Sequence, residues 1–185
     1  VPTSKRLLLA LAQWKPRTYV HVHPDPQRFD PNHQVTHRLQ GSIRAVCTAW
    51  LAEETGTASD TYVRSWQRLN AVASAWLADY FNQADRLSEP LVARTVTRLL
   101  PEESALVAAS SMPIRDVDMY GVRERSPLPV IANRGASGID GLVATAAGYA
   151  FGSGKRVALL IGDLALLHDI NSLALLRETP VIVVV

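Results

Sequence analysis

The sequence predicts an α/β protein, a parallel sheet flanked by helices, incomplete, and preceded by part of a second α/β domain. Three observations carry this. Apolar runs of strand length at 105–109, 128–132, 156–161 and 181–185 alternate with stretches of helix length, the pattern of strands joined by right-handed crossovers. Two of those runs feed short glycine-bearing turns, Asn133 to Gly141 and Ile161 to Ala165, that open into helices. The chain's 185 residues are 48% hydrophobic, enough to bury a sizeable core.

Taken in order, Lys5 to Gln13 is a short apolar helix pattern, and Thr18 to His23 reads as a strand leading into the Pro24-Asp25-Pro26 turn. Asp30 to Asn32 turns again. Ser42 to Ala52 fits a helix capped by Ser42, with Ile43, Val46, Cys47, Trp50 and Leu51 on its apolar face. Glu54 to Asp60 is polar and glycine-bearing and reads as a linker. Thr61 to about Ala84 carries Trp66, Leu69, Ala73, Trp76, Leu77 and Tyr80 at helical spacing, with the tryptophans read as packing residues. Ser88 caps a helix with Pro90 in its first turn, which Pro101 stops. Then come a strand over 105–109, a polar turn, a strand over 128–132, a helix over 139–151, a strand over 156–161, a helix over 164–177 and a strand over 181–185. The expected organisation is therefore residues 1–60 as the later part of one domain, 61–90 as a linking helix region, and 91–185 as the first part of another. An opening residue other than Met, and an apolar strand pattern running to the last residue, lead us to expect a piece of a longer protein.

Composition excludes more than it selects. A net charge of +2 with 19% charged residues gives no field that argues for nucleic acid or an anionic membrane. The single cysteine, Cys47, excludes an internal disulfide and suits a reducing, cytoplasmic compartment. Neither a secretory leader pattern nor a membrane-length apolar run appears.

The chemistry concentrates at the strand ends. Backbone N–H groups at a helix start lack intrahelical partners and the helix dipole adds positive charge there, so both glycine-bearing turns are places where an anion is stabilised. Aspartate at such a strand end, here Asp163, can hold a hard divalent cation through oxygen, or simply cap the helix. The spacing Gly135-x-x-Gly138-x-x-Gly141 is neither the dinucleotide fingerprint nor a P-loop, and the same glycines would also serve a tight strand-to-helix turn. Ser110, Ser111 and Arg115 follow another strand end: serine hydroxyls can donate to an anion and a guanidinium can grip a carboxylate in two-pronged fashion, or stand as a solvated surface charge. Arg134 sits beside the glycine turn with the same two readings. Lys5 and Arg6 stand at a helix start, where the dipole disfavours cations, which suggests an anionic partner. His21 and His23 share one strand face, as at an ordinary strand exit, without enough converging ligands for a metal site.

Read together, Val-Pro-Thr-Ser-Lys-Arg at 1–6, Ser111-x-x-x-Arg115, Asn-Arg-Gly-Ala-Ser-Gly-Ile-Asp-Gly at 133–141 and Gly-Asp-Leu at 162–164 resemble the thiamine-diphosphate-dependent enzyme family, most nearly its menaquinone-pathway synthases. The resemblance implies the thiamine-diphosphate-binding fold for the second part of the chain. It also implies decarboxylation of 2-oxoglutarate and addition of the resulting succinyl carbanion equivalent to isochorismate, with thiamine diphosphate as electron sink and Mg²⁺ holding it. On the same ground Asp163 is the metal ligand. Ile139, Gly162, Asp163, Leu164 and Ala165 line the cofactor, with Ile139 as the bulky apolar support beneath it. Lys5, Arg6, Ser111, Arg115 and Arg134 meet the substrates' carboxylates.

Two departures qualify the likeness. Leu164 replaces the second glycine of the usual Gly-Asp-Gly, a change the menaquinone branch tolerates, and no Asn-Asn metal pair follows within the chain. The glutamate that activates the cofactor belongs to an N-terminal domain absent from this sequence, so no catalytic residue is assigned here, and this polypeptide alone is expected to bind cofactor weakly and not to turn over. The family's site forms between subunits, so a homodimer or homotetramer is expected. Other readings are another thiamine-diphosphate decarboxylase or acetolactate-synthase relative, and a non-catalytic module of the same fold.

Overall fold

A computed structural model describes residues 5–26, 28, 30–53, 59–122, 127–133 and 138–185. The chain separates into two compact units, Val1–Tyr80 and Phe81–Val185.

The first unit holds α1 (Lys5–Gln13), β1 (Val20–His23), β2 (His37–Gln40), α2 (Ile43–Ala52) and most of α3 (Asp60–Asn82). β1 and β2 pair in parallel with Val20 opposite His37. The polar connection between them is organised by Asp30, whose carboxylate accepts from the N–H groups of Gln34 at 2.9 Å and Val35 at 3.2 Å. Burial works to raise the Asp30 pKa, but those two N–H donors and the charges of Arg28 and His33 outweigh it and hold the group below its ordinary value. Ser42 caps α2 as the sequence suggests, accepting from Ala45 N–H at 3.4 Å. β2 is a strand that the sequence did not signal. Its residues are all exposed, so no apolar alternation marked it. On α3 the tryptophans read as packing residues are instead open: Trp66 and Trp76 are 59% and 62% exposed, and Trp76 stacks on Tyr80 with ring centroids 5.4 Å apart. Segment 54–58, the centre of the expected linker, lies outside the described residues.

In the second unit α4 (Glu89–Leu99) starts at Ser88, whose hydroxyl accepts from Leu91 N–H at 3.4 Å. Four parallel strands follow, β3 (Ser104–Ala108), β4 (Val130–Ile131), β5 (Arg156–Leu160) and β6 (Val181–Val184), in spatial order β4-β3-β5-β6. Their pleat sorts the core into two layers. Ala105, Val107, Val157 and Leu159 face α6 (Leu142–Ser153), while Leu106, Ala158 and Leu160 face α4 and Val117 of α5 (Met112–Tyr120). At the central strands β3 and β5 both faces are covered, which is why these two read as unbroken apolar runs rather than as alternations.

Two expected elements need correction. The polar turn after β3 contains the nine-residue helix α5, which Pro113 starts by supplying a helical φ in the first turn. The single helix expected over 164–177 is α7 (Asp163–His168) followed by a 3₁₀ turn, Ile170–Leu176, because Asp169 ends the first and begins the second. β3 is the first strand of the sheet, yet the chain steps to β4 on one side before returning to β5 on the other. The strand order thus reverses between β3 and β5, and in open parallel sheets ligands gather outside the carboxyl ends at such a point.

Candidate cofactor site

Three turns leave the carboxyl edge of this sheet: Ser110–Ser111 after β3, the segment ending at Gly141 after β4, and Gly162–Asp163 after β5. At the last, Gly162 is the residue before α7 and Asp163 its first residue. The Asp163 side chain is exposed, and its Oδ1 accepts from Leu164 N–H at 2.8 Å. Among the described residues, a Cβ built on Gly162 would meet no atom within 4 Å other than those of its chain neighbours, so their packing does not call for glycine there.

The turn before α6 has a different construction. Gly141 adopts φ 66° and ψ 15°, a left-handed conformation suited to glycine, and it supplies no side chain to cap the helix it precedes. Two distant residues take over. Thr145 Oγ1 donates to the Gly141 carbonyl at 2.8 Å and accepts from Asn133 Nδ2 at 3.1 Å, fastening the start of the motif to the helix. The Asp169 carboxylate accepts from Val143 N–H at 2.8 Å. This corrects the expectation that both glycine-bearing turns offer a helix start to an anionic ligand. At α6 one of the free N–H groups, that of Val143, is already taken by a protein carboxylate.

Ser111 is held at φ 74° and ψ −125°, a conformation costing roughly 1–3 kcal/mol for a residue with a side chain. Although it precedes α5 it makes no side-chain cap, so its exposed hydroxyl stays uncommitted to the helix. Arg115 lies four residues further, in α5, and is exposed; its guanidinium reaches Met112 Sδ at 4.0 Å and has no carboxylate partner among the described residues.

Beside the β5 turn, on the α4 and α5 side of the sheet, is a cavity of about 490 Å³ whose walls include Ser88, Glu89, Pro113, Asp116, Gly162 and Asp163. Asp116 is the unexpected member. It is 1% exposed, and neither carboxylate oxygen has a hydrogen-bond partner among the described residues. Burial, with a smaller contribution from the Glu89 charge, pushes its pKa above the ordinary aspartate value. An aspartate between Arg115 and Val117 in a segment read as a polar turn gave no sign of burial. A helical reading would have placed it one turn from Met112 and Tyr120.

Of the residues expected to form the site, Gly162 and Asp163 line this cavity, whereas Ile139, Ser111 and Arg115 are not among its described walls. Ile139 is 37% exposed, in the turn before α6. Leu164 is 71% exposed, while Ala165 is buried in the core facing α6, so only its backbone is available to a ligand. Arg6 is exposed on α1 of the first unit. Lys5 is the first residue of α1, but its side chain, like the whole of Arg134, lies outside the described residues. No group of three His, Cys, Asp or Glu residues able to hold a metal occurs among the described residues, although Glu89 and Asp116 line the same cavity as Asp163. No helix among them is long and apolar enough to cross a membrane.

A parallel sheet with an acidic turn at its order reversal defines a class, and comparison with known proteins names it. The family model described as the middle domain of thiamine pyrophosphate matches residues 2–107, more than half of the chain, and the chain belongs to that thiamine-pyrophosphate enzyme family. Within it, the chain is 52% identical over 185 residues to the 2-succinyl-5-enolpyruvyl-6-hydroxy-3-cyclohexene-1-carboxylate synthase of Rubrobacter xylanophilus, a match covering 100% of the chain and 32% of that protein. It is 46% identical over 183 residues to the synthase of the same name from Salinibacter ruber, covering 98% of the chain and 31% of the relative. It is also 36% identical over 192 residues to Protein PHYLLO, chloroplastic, of Arabidopsis thaliana, covering 95% and 11%. The chain thus spans about a third of the length of the two bacterial relatives.

Proposed function

We propose that this chain is part of a cytoplasmic, thiamine-diphosphate- and Mg²⁺-dependent synthase of menaquinone biosynthesis. The proposed reaction decarboxylates 2-oxoglutarate and joins its succinyl unit to isochorismate. The observation that carries this reading is 52% identity along the entire chain to a synthase whose name denotes that product.

The donor set fits such a cofactor in kind. Asp163 offers a hard oxygen ligand of the type Mg²⁺ takes, and the open space at Gly162 lets a diphosphate approach the backbone. Mg²⁺ keeps an octahedral oxygen shell, so one carboxylate suffices only if phosphate oxygens, water and further residues complete it. Thiamine diphosphate, when bound, supplies the electron sink for decarboxylation. The chain's own residues bind and orient. Gly162, Asp163, Leu164 and Ala165 would hold the diphosphate end through metal and backbone, and Ile139 would present its half-open apolar side chain to the cofactor's underside.

Substrate carboxylates would be met by Ser111, just before α5, and Arg115 in its first turn, together with Lys5, Arg6 and Arg134. A guanidinium with no carboxylate partner among the described residues, four positions from a hydroxyl not spent on capping, is suited to a carboxylate, since together they offer a fork of donors and an additional O–H. The activating glutamate and the remaining metal ligands would come from outside this chain. The working form would be a homodimer or homotetramer with the site between subunits, and this polypeptide alone would bind cofactor weakly and not turn over.

The test is an assay of the intact protein with 2-oxoglutarate and isochorismate against pyruvate, in the presence of thiamine diphosphate and Mg²⁺. Product formation from the first pair is the expected result; preference for pyruvate would assign an acetolactate-synthase-like activity instead. Absence of any turnover together with absence of cofactor binding would mark a non-catalytic module.

A further inference from the structure

We infer that Asp169, aided by His168, is a positioning residue that sets the Ile139 turn against the Gly162–Asp163 turn; this deepens the thiamine-diphosphate reading above and rests on it. Ile139 and Asp163 stand 24 positions apart in the sequence, in turns that leave β4 and β5, strands that are not neighbours in the sheet. Something other than strand pairing must therefore fix one turn relative to the other.

The contacts that do so converge on two adjacent residues. Asp169 Oδ2 accepts from Val143 N–H in the first turn of α6 at 2.8 Å, and its Oδ1 accepts from Ser172 Oγ at 2.6 Å, so both oxygens are committed. The residue carrying them is itself fixed. Its N–H donates to the Ala165 carbonyl at 3.1 Å at the end of α7, and its carbonyl accepts from Ser172 N–H at 2.9 Å at the start of the 3₁₀ turn. Next to it, His168 Nδ1 lies 3.0 Å from Asp140 Oδ1, in the residue following Ile139.

The two links differ in strength. The His168–Asp140 contact is largely exposed, with side chains 55% and 78% open, and pairs of that kind contribute little. The Asp169 link is half-buried, charged, and directed at a helix start that Gly141 cannot cap. Asp169 is thus the anchor, and the exposed His168–Asp140 contact is a minor addition to it. Because α7 begins at Asp163 and ends against Asp169, one short rigid element carries both the proposed metal ligand and the clamp on the cofactor support.

A clamp of this kind acts on geometry rather than on cofactor affinity, and that makes it separable from a merely structural role. In the intact protein, Asp169→Ala should leave the Kd for thiamine diphosphate with Mg²⁺ within about threefold of wild type, while kcat at saturating cofactor falls by at least about tenfold, as expected when a reacting group is displaced but not released. Asp169→Asn should recover most of the loss. Its Oδ1 can still accept from Val143 N–H, and its amide can donate to Ser172 Oγ, which then acts as acceptor. Ser172→Ala, which frees one carboxylate oxygen and leaves the Val143 bond, gives the same split at smaller amplitude and serves if Asp169→Ala does not fold. Unchanged kcat in both Asp169→Ala and Ser172→Ala would overturn the inference, as would a parallel loss of kcat and cofactor binding that Asp169→Asn fails to rescue. Failure of the wild-type protein to bind thiamine diphosphate would overturn the functional reading and this inference with it. Normal wild-type binding with unaffected variants would overturn the inference alone.

Discussion

Asn133 and Thr145, twelve residues apart, are joined by a hydrogen bond from Nδ2 to Oγ1 of 3.1 Å, while the same hydroxyl donates to the Gly141 carbonyl at 2.8 Å. One side chain on the second turn of α6 therefore fastens both ends of the segment that carries Ile139.

Thr145→Val keeps the β-branched shape and removes both bonds. It should lower the stability of the intact protein by about 1–2 kcal/mol, as two partly buried neutral hydrogen bonds allow. Asn133→Ala removes only the first, and the double variant should cost less than the sum because the two residues share that bond. Denaturant unfolding with an unchanged m-value would register the shift; strictly additive losses would contradict the coupling.

Glycine at 141 and at 154 gives a matched comparison. Both adopt left-handed φ, 66° and 67°, and a Cβ at either would meet nothing within 4 Å. Gly141→Ala and Gly154→Ala should each cost about 1 kcal/mol from backbone strain alone. Only the first should also weaken cofactor-dependent activity, because Gly154 closes α6 at its far end. Equal activities in the two variants would contradict a functional role for the 138–141 turn.

Asp116 should make stability depend on pH in the direction opposite to an ion-paired aspartate. Its folded pKa lies above the unfolded value of 3.8, so the folded chain holds the proton more tightly. The resulting stabilisation is complete below pH 3.8 and is lost as pH rises through the folded pKa. Asp116→Asn should therefore match wild type in acid and exceed it at neutral pH, by about 1.4 kcal/mol for each unit by which the pKa is raised. Thermal unfolding across that range measures the difference, and an equal or lower stability of the variant at neutral pH would show that the carboxylate finds a partner in the intact protein.

What could be read from the sequence divides along physical lines. Strands β3 and β5 are legible because burial on both faces writes an apolar run, as in Val157-Ala158-Leu159-Leu160, and β6 through its unbroken run of β-branched residues, although Ile182 on it is exposed. The Ser42 and Ser88 caps were legible because an N-cap is a local device. Helix α5 is hidden where Arg115, Asp116 and Asp118 break its apolar stripe, although Pro113 two residues after Ser111 is a helix-start signal. The Asp163 turn was legible through its strand-glycine-aspartate order. The capping of α6 by Asp169 was not, because it joins residues 26 apart and exists only once both helices are packed.

The Gly162–Asp163 turn is where the account stands or falls, and calorimetry of the intact protein tests it most directly. Thiamine diphosphate should bind the wild-type protein only with Mg²⁺ present, and Asp163→Asn should weaken that binding by at least about tenfold, the scale expected when a hard-ion carboxylate ligand is lost. Binding indifferent to both Mg²⁺ and the Asp163 substitution, or no binding at all, would contradict it.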